Sequence, residues 1–347
     1  MEADYKKRLP RIFLFLAAIL ILVKFMREKE ASIVTNHITG LTMGTIPYSI
    51  KYKTKGPVDY TYSVDSLLKS FNQSLSTYIP DSEISRFNQN DTLVFESGFF
   101  LPILKASQQV YNATYQAFDP TVGPLVNAWG FGPGKSERVL AYTKVDSLLK
   151  LVGFDRIDFT DLYVTKQGGV YLDFSAIAKG YAIDLLADFL AEKKVTEYMI
   201  EIGGEVSVKG TNDKKNNWSI GIEDPLVNRD EHKLLAISQV SNRSMATSGN
   251  YRNYFQKDGK VYAHIIDPRT GYTSNKNILS ATVFASECMR ADAYATAFMV
   301  LGVDSALTIV NQNDDLEAFI IYQSRDSISI EITEGIKEDI ILLETNK

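Results

Sequence analysis

Cysteine is almost missing from the 347-residue chain, with Cys288 as the sole example. One thiol closes no internal disulfide and builds no zinc or iron–sulfur centre on cysteine. Histidine is nearly as scarce: His37, His232 and His264 are too scattered to suggest a histidine metal cage. Positive charge is not in excess either. The formal net charge of −5 supplies no basic field for a nucleic acid, so no nucleic-acid partner is expected. The G-x-x-x-x-G-K-[ST] phosphate loop, a strand-linked G-x-G-x-x-G and the G-x-S-x-G elbow are all absent. Gly130, Gly132 and Gly134 imitate a glycine-rich spacing, but Pro133 interrupts them and they read as loop. From Ala31 onward there is no Pro/Ser/Gly-rich linker, low-complexity tract or clear repeat. A single folded unit over residues 31–347 is the simplest organisation.

What is present belongs to a globular protein, with 45% apolar and 23% charged residues. The first thirty residues differ. Lys6, Lys7, Arg8 and Arg11 precede the apolar run Ile12 to Val23, and Lys24 follows, which is the layout of a secretory signal or signal anchor. Twelve helical residues rise about 18 Å, short of the roughly 30 Å hydrocarbon core. Leu9 to Met26, with Arg11 and Lys24 snorkelling, is long enough to span. No small-residue cleavage site follows, and no cysteine stands there to carry a lipid. The expectation is an uncleaved anchor within residues 1–30, with the remainder on the extracytoplasmic side of the cell membrane.

The periodicities predict strands at Ile38–Tyr52 around a Met43-Gly44-Thr45 bend, and helices at Val58–Leu75, Phe99–Ala117 and Lys144–Leu151. Tyr171–Phe174 reads as a strand leading through Ser175, an N-cap, into a helix with Ile177, Tyr181 and Leu185 on one face. Further strands are expected at Ile157–Phe159, Leu162–Thr165, Tyr198–Ile202, Val206–Lys209, Trp218–Glu223, Leu235–Val240 and Ser244–Ser248. Val261–Ile266, Leu279–Ala285, Ala318–Tyr322, Ile328–Ile332 and Ile336–Leu343 complete the set. Many hairpins with a few long helices define an α+β fold of mainly antiparallel sheets with several packed helices, preceded by the N-terminal hydrophobic segment. Ala117–Pro133, rich in Gly and Pro yet carrying Trp129 and Phe131, reads as a long functional loop.

Chemistry concentrates in oxygen-bearing segments. Ala291–Leu301 reads as a helix that Gly302 ends. Asp292 and Thr296, at i and i+4, emerge from one face as a hard oxygen pair suited to Mg²⁺. The same residues also fit dipole complementation and packing. Asp173 stands where a helix begins, with Lys179 six residues on; Asp119 and Thr121 mark the mouth of the aromatic loop. His264 precedes the tight turn Asp267-Pro268-Arg269-Thr270-Gly271 and suits a general base near neutral pH. Singly each is also explained as a capped turn or a solvated charge. Jointly they suggest a site for a phosphorylated, aromatic ligand with Mg²⁺.

The segments Met43-Gly44-Thr45, Ser76-Thr77-Tyr78, Ser82–Asn88, Phe118–Leu125, Leu172–Tyr181, Ile202–Glu205, Ala246–Gly249, His264–Gly271 and Ala291–Ala297 occur in one order. In this the chain resembles the ApbE family of FAD:protein FMN transferases from about Thr39 to Gly302. The resemblance implies a Mg²⁺-dependent reaction in which FAD is split at its pyrophosphate. FMN is joined by a phosphoester to a Ser or Thr of a target flavoprotein, and AMP leaves. It implies metal ligands at Asp292, Thr296 and the Ala176 carbonyl, and an FAD site of Met43, Tyr78, Asp119, Pro120, Thr121, Asp173, Lys179 and Ile266. His264 is the implied base for the acceptor hydroxyl. Many members carry a lipid-anchoring cysteine that this chain lacks, so the N-terminal helix would take over the tethering. Two alternatives stay open: an FAD pyrophosphatase with water as acceptor, and a non-catalytic flavin-binding protein.

Overall fold

The structure, a computed structural model, describes Ile19 and residues 32–132, 140–227, 233–250, 254–257, 260–325 and 327–344. The expected anchor, apart from Ile19, lies outside these residues. Among the described residues no helix is long and apolar enough to cross a membrane.

The chain starts with a hairpin of β1 (Ile33–Thr42) and β2 (Ile46–Lys55), closed by left-handed backbone at Met43 (φ 47) and Gly44 (φ 89). Helix α1 (Thr61–Leu75) buries Val64, Leu68, Phe71 and Leu75, the stripe its spacing dictates. Ser82 caps the short α2 (Glu83–Gln89) by accepting from the Ser85 amide at 3.1 Å. Then come β3 (Thr92–Val94), α3 (Phe100–Ala113), α4 (Gly123–Ala128), α5 (Tyr142–Leu149), β4 (Ile157–Phe159) and β5 (Tyr163–Lys166), with β3, β5 and β4 forming a small sheet. Helix α6 (Ala178–Glu192) follows, then β6 (Tyr198–Ile202), β7 (Glu205–Lys209), β8 (Trp218–Glu223), β9 (Leu234–Val240) and β10 (Arg243–Gly249). The remainder is β11 (Tyr254–Lys257), β12 (Lys260–Ala263), β13 (Ile278–Ala285), α7 (Cys288–Leu301), α8 (Val303–Asn311), β14 (Glu317–Ser324), β15 (Ser327–Ile332) and β16 (Ile340–Leu342).

The organising layer is an antiparallel sheet with strand order β1-β2-β6-β7-β10-β13-β14-β15. Its central strands are buried on both faces. Ala281, Val283, Ala318 and Ile320 enter the large core beneath the helices, while Phe284, Phe319 and Ile321 point the other way. That second face is closed by the small sheet β16-β9-β8, which contributes Trp218, Ile220, Ile222, Ala236 and Val240. Period-two alternation between two cores explains why these strands read as apolar runs. Helix α7 lies on β13 and β10 and against α6, and Ala291, Ala293, Ala295, Ala297, Phe298 and Met299 are fully buried. The α+β, mainly antiparallel expectation holds.

Several local expectations do not. Tyr171–Phe174 is extended but joins no strand ladder. The Asn88 side-chain amide takes the place of a partner strand, accepting from Leu172 N and donating to Leu172 O, both at 2.8 Å. Ser175 is not an N-cap: α6 begins three residues later, and the Ser175 hydroxyl bonds Asp173 instead. The Ala117–Pro133 segment contains α4, with Pro124 in its first turn, where the missing N–H costs nothing. Helix α7 starts a turn before Ala291. Ile336 is buried in a 3₁₀ turn rather than a strand, and Ile266 pairs only singly, with Thr273, beyond the end of β12.

Candidate functional site

Helices α6 and α7 touch where both begin. A Cβ on Gly180 would lie 2.3 Å from the Cys288 carbonyl oxygen, so only glycine permits this approach. One turn further along α6, Asp184 accepts from the Cys288 and Met289 amides, both at 2.8 Å. It thereby caps α7, whose own N-cap position, Glu287, makes no side-chain bond. Burial pushes the Asp184 carboxyl up to about 7, against the pull of those two amides. The debt is returned by Asp292, whose Oδ2 accepts from the Gly180 amide at 3.0 Å in the first turn of α6. The two helices cap each other with carboxylates.

Asp292 is 3% exposed, and its other oxygen faces a cation. Lys179 Nζ lies 3.4 Å from Asp292 Oδ1 and 3.1 Å from Glu205 Oε1. Burial opposes the Lys179 charge, but the two carboxylates outweigh it and hold the ammonium above the ordinary lysine range. Glu205 opens β7 directly after the Gly203-Gly204 turn, where both glycines have positive φ (63 and 107). Burial pushes its carboxyl up to about 7 despite Lys179. Thr296, one turn after Asp292, meets the Ser248 hydroxyl of β10 at 3.1 Å.

These groups line a cavity of about 280 Å³ that also takes in Asp119, Pro120, Asp173, Ala176, His264 and Ile266. A second cavity of about 290 Å³, lined by Met43, Ile46, Phe71 and Tyr78, shares Asp173, Ser175 and Lys179 with it. Tyr78 is 66% exposed, and burial of its hydroxyl together with Asp173 raises its pKa above that of a free phenol. Thr121 lines neither cavity. It is fully buried, and its amide (2.7 Å) and hydroxyl (2.6 Å) hold Asp119 Oδ1 while Oγ1 accepts from Gly153 N. Asp119 Oδ2 accepts from Phe154 N at 3.3 Å, so both of its oxygens are engaged with the fold. Burial pushes its carboxyl up to about 6, against those bonds. Of the aromatic loop, Trp129 is buried, donates to Gly271 O and stacks on Tyr262, whereas Phe131 stands edge-on to His264 at 6.3 Å.

Among the described residues no three His, Cys, Asp or Glu side chains cluster to hold a metal. The oxygens here are instead mixed. The Gly180 amide, which a continuing helix would aim at the Ala176 carbonyl four residues back, is directed to Asp292. Asp292, Thr296 and Ala176 all line the cavity, and a carboxylate, a hydroxyl and a carbonyl are oxygens of the hard kind. Spacing did not reveal Glu205, Ser248 or Asp184. The first two sit in ordered segments noted above without a role, and Asp184 has the look of an ordinary helix charge.

The ApbE family model matches residues 43–320, and the chain belongs to the ApbE family. It is 39% identical over 294 residues to the FAD:protein FMN transferase of Vibrio cholerae serotype O1, covering 82% of this chain and 86% of the relative. It is 36% identical over 325 residues to that of Haemophilus influenzae, covering 90% and 92%. Among solved structures, a flavin transferase ApbE from Vibrio cholerae superposes with a TM-score of 0.81 at 34% identity, over 89% of this chain and all of that one. An apo flavinyl transferase ApbE from Pseudomonas stutzeri gives 0.79 at 32% identity, over 88% and 97%.

Proposed function

We propose that the protein is a Mg²⁺-dependent FAD:protein FMN transferase that acts on a Ser or Thr of a target flavoprotein. The observation that carries this is the convergence of Asp292, Thr296, Ala176, Lys179 and His264 on one cavity beside an apolar pocket. Asp292, the Thr296 hydroxyl and the Ala176 carbonyl would hold the ion, which when bound neutralises charge on the pyrophosphate oxygens. The Lys179 ammonium, already fixed beside that set, adds a second positive group for the phosphates. Met43, Ile46 and Tyr78 offer apolar and flat surface for a ring system.

His264 takes the proton of the acceptor hydroxyl as its oxygen bonds the FMN phosphorus. The bond from that phosphorus to the bridging oxygen breaks, and AMP leaves with that oxygen. A base held in place contributes about 10²–10⁴-fold. The cationic and then apolar N-terminus supports tethering of the enzyme at the cell membrane with this site on the extracytoplasmic side. The test is incubation with FAD, Mg²⁺ and a candidate acceptor domain. Flavin fluorescence should stay on the denatured acceptor, AMP should appear in equal amount, and EDTA should stop both. Free FMN with an unlabelled acceptor would overturn transfer in favour of hydrolysis.

A further inference from the structure

Glu205 carries an oddity that the proposed transfer does not use. Its side chain is 5% exposed, Oε1 holds Lys179 at 3.1 Å, and Oε2 is buried with no hydrogen-bond partner among the described residues. A buried carboxylate oxygen left without a donor is costly, and native folds rarely keep one without a use. The neighbouring geometry supplies the use. Asp292 has one oxygen committed to the Gly180 amide, so Oδ1 is the oxygen left for a cation, and Lys179 Nζ stands 3.4 Å from it. Ammonium and metal therefore compete for the same atom. A lysine that could turn only to Asp292 would occupy the site permanently.

We infer that Glu205 is a positioning residue for metal loading: it holds Lys179 off Asp292, and its spare Oε2 receives the ammonium when a divalent cation takes Asp292 Oδ1. The three N–H donors of a lysine can serve both Glu205 oxygens at once. No bond is made or broken; one ion pair is exchanged for another. The distances already lean this way, with Lys179 closer to Glu205 than to Asp292. A Cβ on Gly203 would lie 2.7 Å from Ile46 Cγ2, 3.7 Å from Lys179 Cδ and 3.8 Å from Glu205 Oε2, so only a residue without a side chain fits beside both groups. The inference rests on the metal assignment to Asp292, and its test separates the two.

Mn²⁺ binding to the full chain without FAD, followed by the electron paramagnetic resonance of the free ion, reads the exchange directly. Glu205→Gln should weaken Mn²⁺ binding by about tenfold or more, because Lys179 then settles on Asp292. Adding Lys179→Met to Glu205→Gln should restore affinity to within about threefold of the wild type, since the competitor is gone. Lys179→Met alone should tighten binding. Unchanged affinity in Glu205→Gln overturns the inference. So does a double variant as weak as the single, which would make Glu205 itself a ligand. The underlying assignment fails on a different result, an Asp292→Ala protein that binds Mn²⁺ as tightly as the wild type.

Discussion

Asp184→Ala tests how much of the site depends on a borrowed cap. The substitution removes the acceptor of two amides, at Cys288 (fully buried) and Met289 (8% exposed). Glu287 does not replace it, because that residue makes no capping bond. Losing an N-cap costs about 0.5–2 kcal/mol, and a buried donor left unsatisfied costs about 1–3 kcal/mol. The effects overlap, so a loss of about 2–4 kcal/mol is expected. For a chain of this size that lowers Tm by about 3–6 °C. Measurement belongs at about pH 5, below the carboxyl's raised value of about 7, because the native state holds the Asp184 proton more tightly than the unfolded chain and the residue's contribution is lost as pH rises through that value. Thermal melts give the global effect, and amide hydrogen exchange at residues 288 and 289 locates it. The metal requirement of turnover should also rise, because Asp292 lies one turn beyond the cap. A Tm within about 1 °C of the wild type, with both amides still protected, would show that α7 does not need α6 to begin.

Other perturbations reach different parts of the site. His264→Ala should slow transfer by about 10²–10⁴-fold while FAD affinity, measured by fluorescence quenching, changes only a few-fold; a wild-type rate removes it as the base. Gly180→Ala forces a methyl against the Cys288 carbonyl and should cost about 1–3 kcal/mol in denaturant melts, with the helix pair prised apart. Asp119, 7% exposed, has its carboxyl raised by burial to about 6, so the native state holds its proton more tightly than the unfolded chain. Its contribution is present below pH ~4 and lost as pH rises through about 6, by about 3 kcal/mol in all. Asp119→Asn should flatten the pH dependence of Tm across that window, and an unaltered profile would refute it.

The sheet strands and α7 were legible because burial writes itself into apolar spacing, and Gly302 marks the end of α7. That same glycine hid α8. Gly302 (φ 88) ends one helix and occupies the N-cap position of the next, so a stop signal concealed a start. Tyr171–Phe174 has a strand's composition, but its partner is the amide of Asn88, and no periodicity reports a side chain acting as a strand. The Asp292 and Thr296 pair stood out by its i, i+4 spacing, yet its neighbours Lys179, Glu205 and Ser248 come from three other elements. Charges that meet only through topology leave no local pattern. Asp184 is the extreme case, a helix-interior carboxylate whose purpose lies on a different helix.

The exchange of carboxylates between α6 and α7 sets the size of the unit that can be moved or redesigned. One oxygen of Asp292 holds the start of α6, and the start of α7 is held in turn by Asp184. Grafting the Asp292–Thr296 turn alone onto another scaffold would carry the oxygens without the amide that aims them. The smallest transplantable piece is the crossed pair with Gly180 at its contact, both acids included. By the same token, exchanging Asp292 for Glu moves a helix start as well as a site carboxylate, so the proposed metal site cannot be tuned one residue at a time.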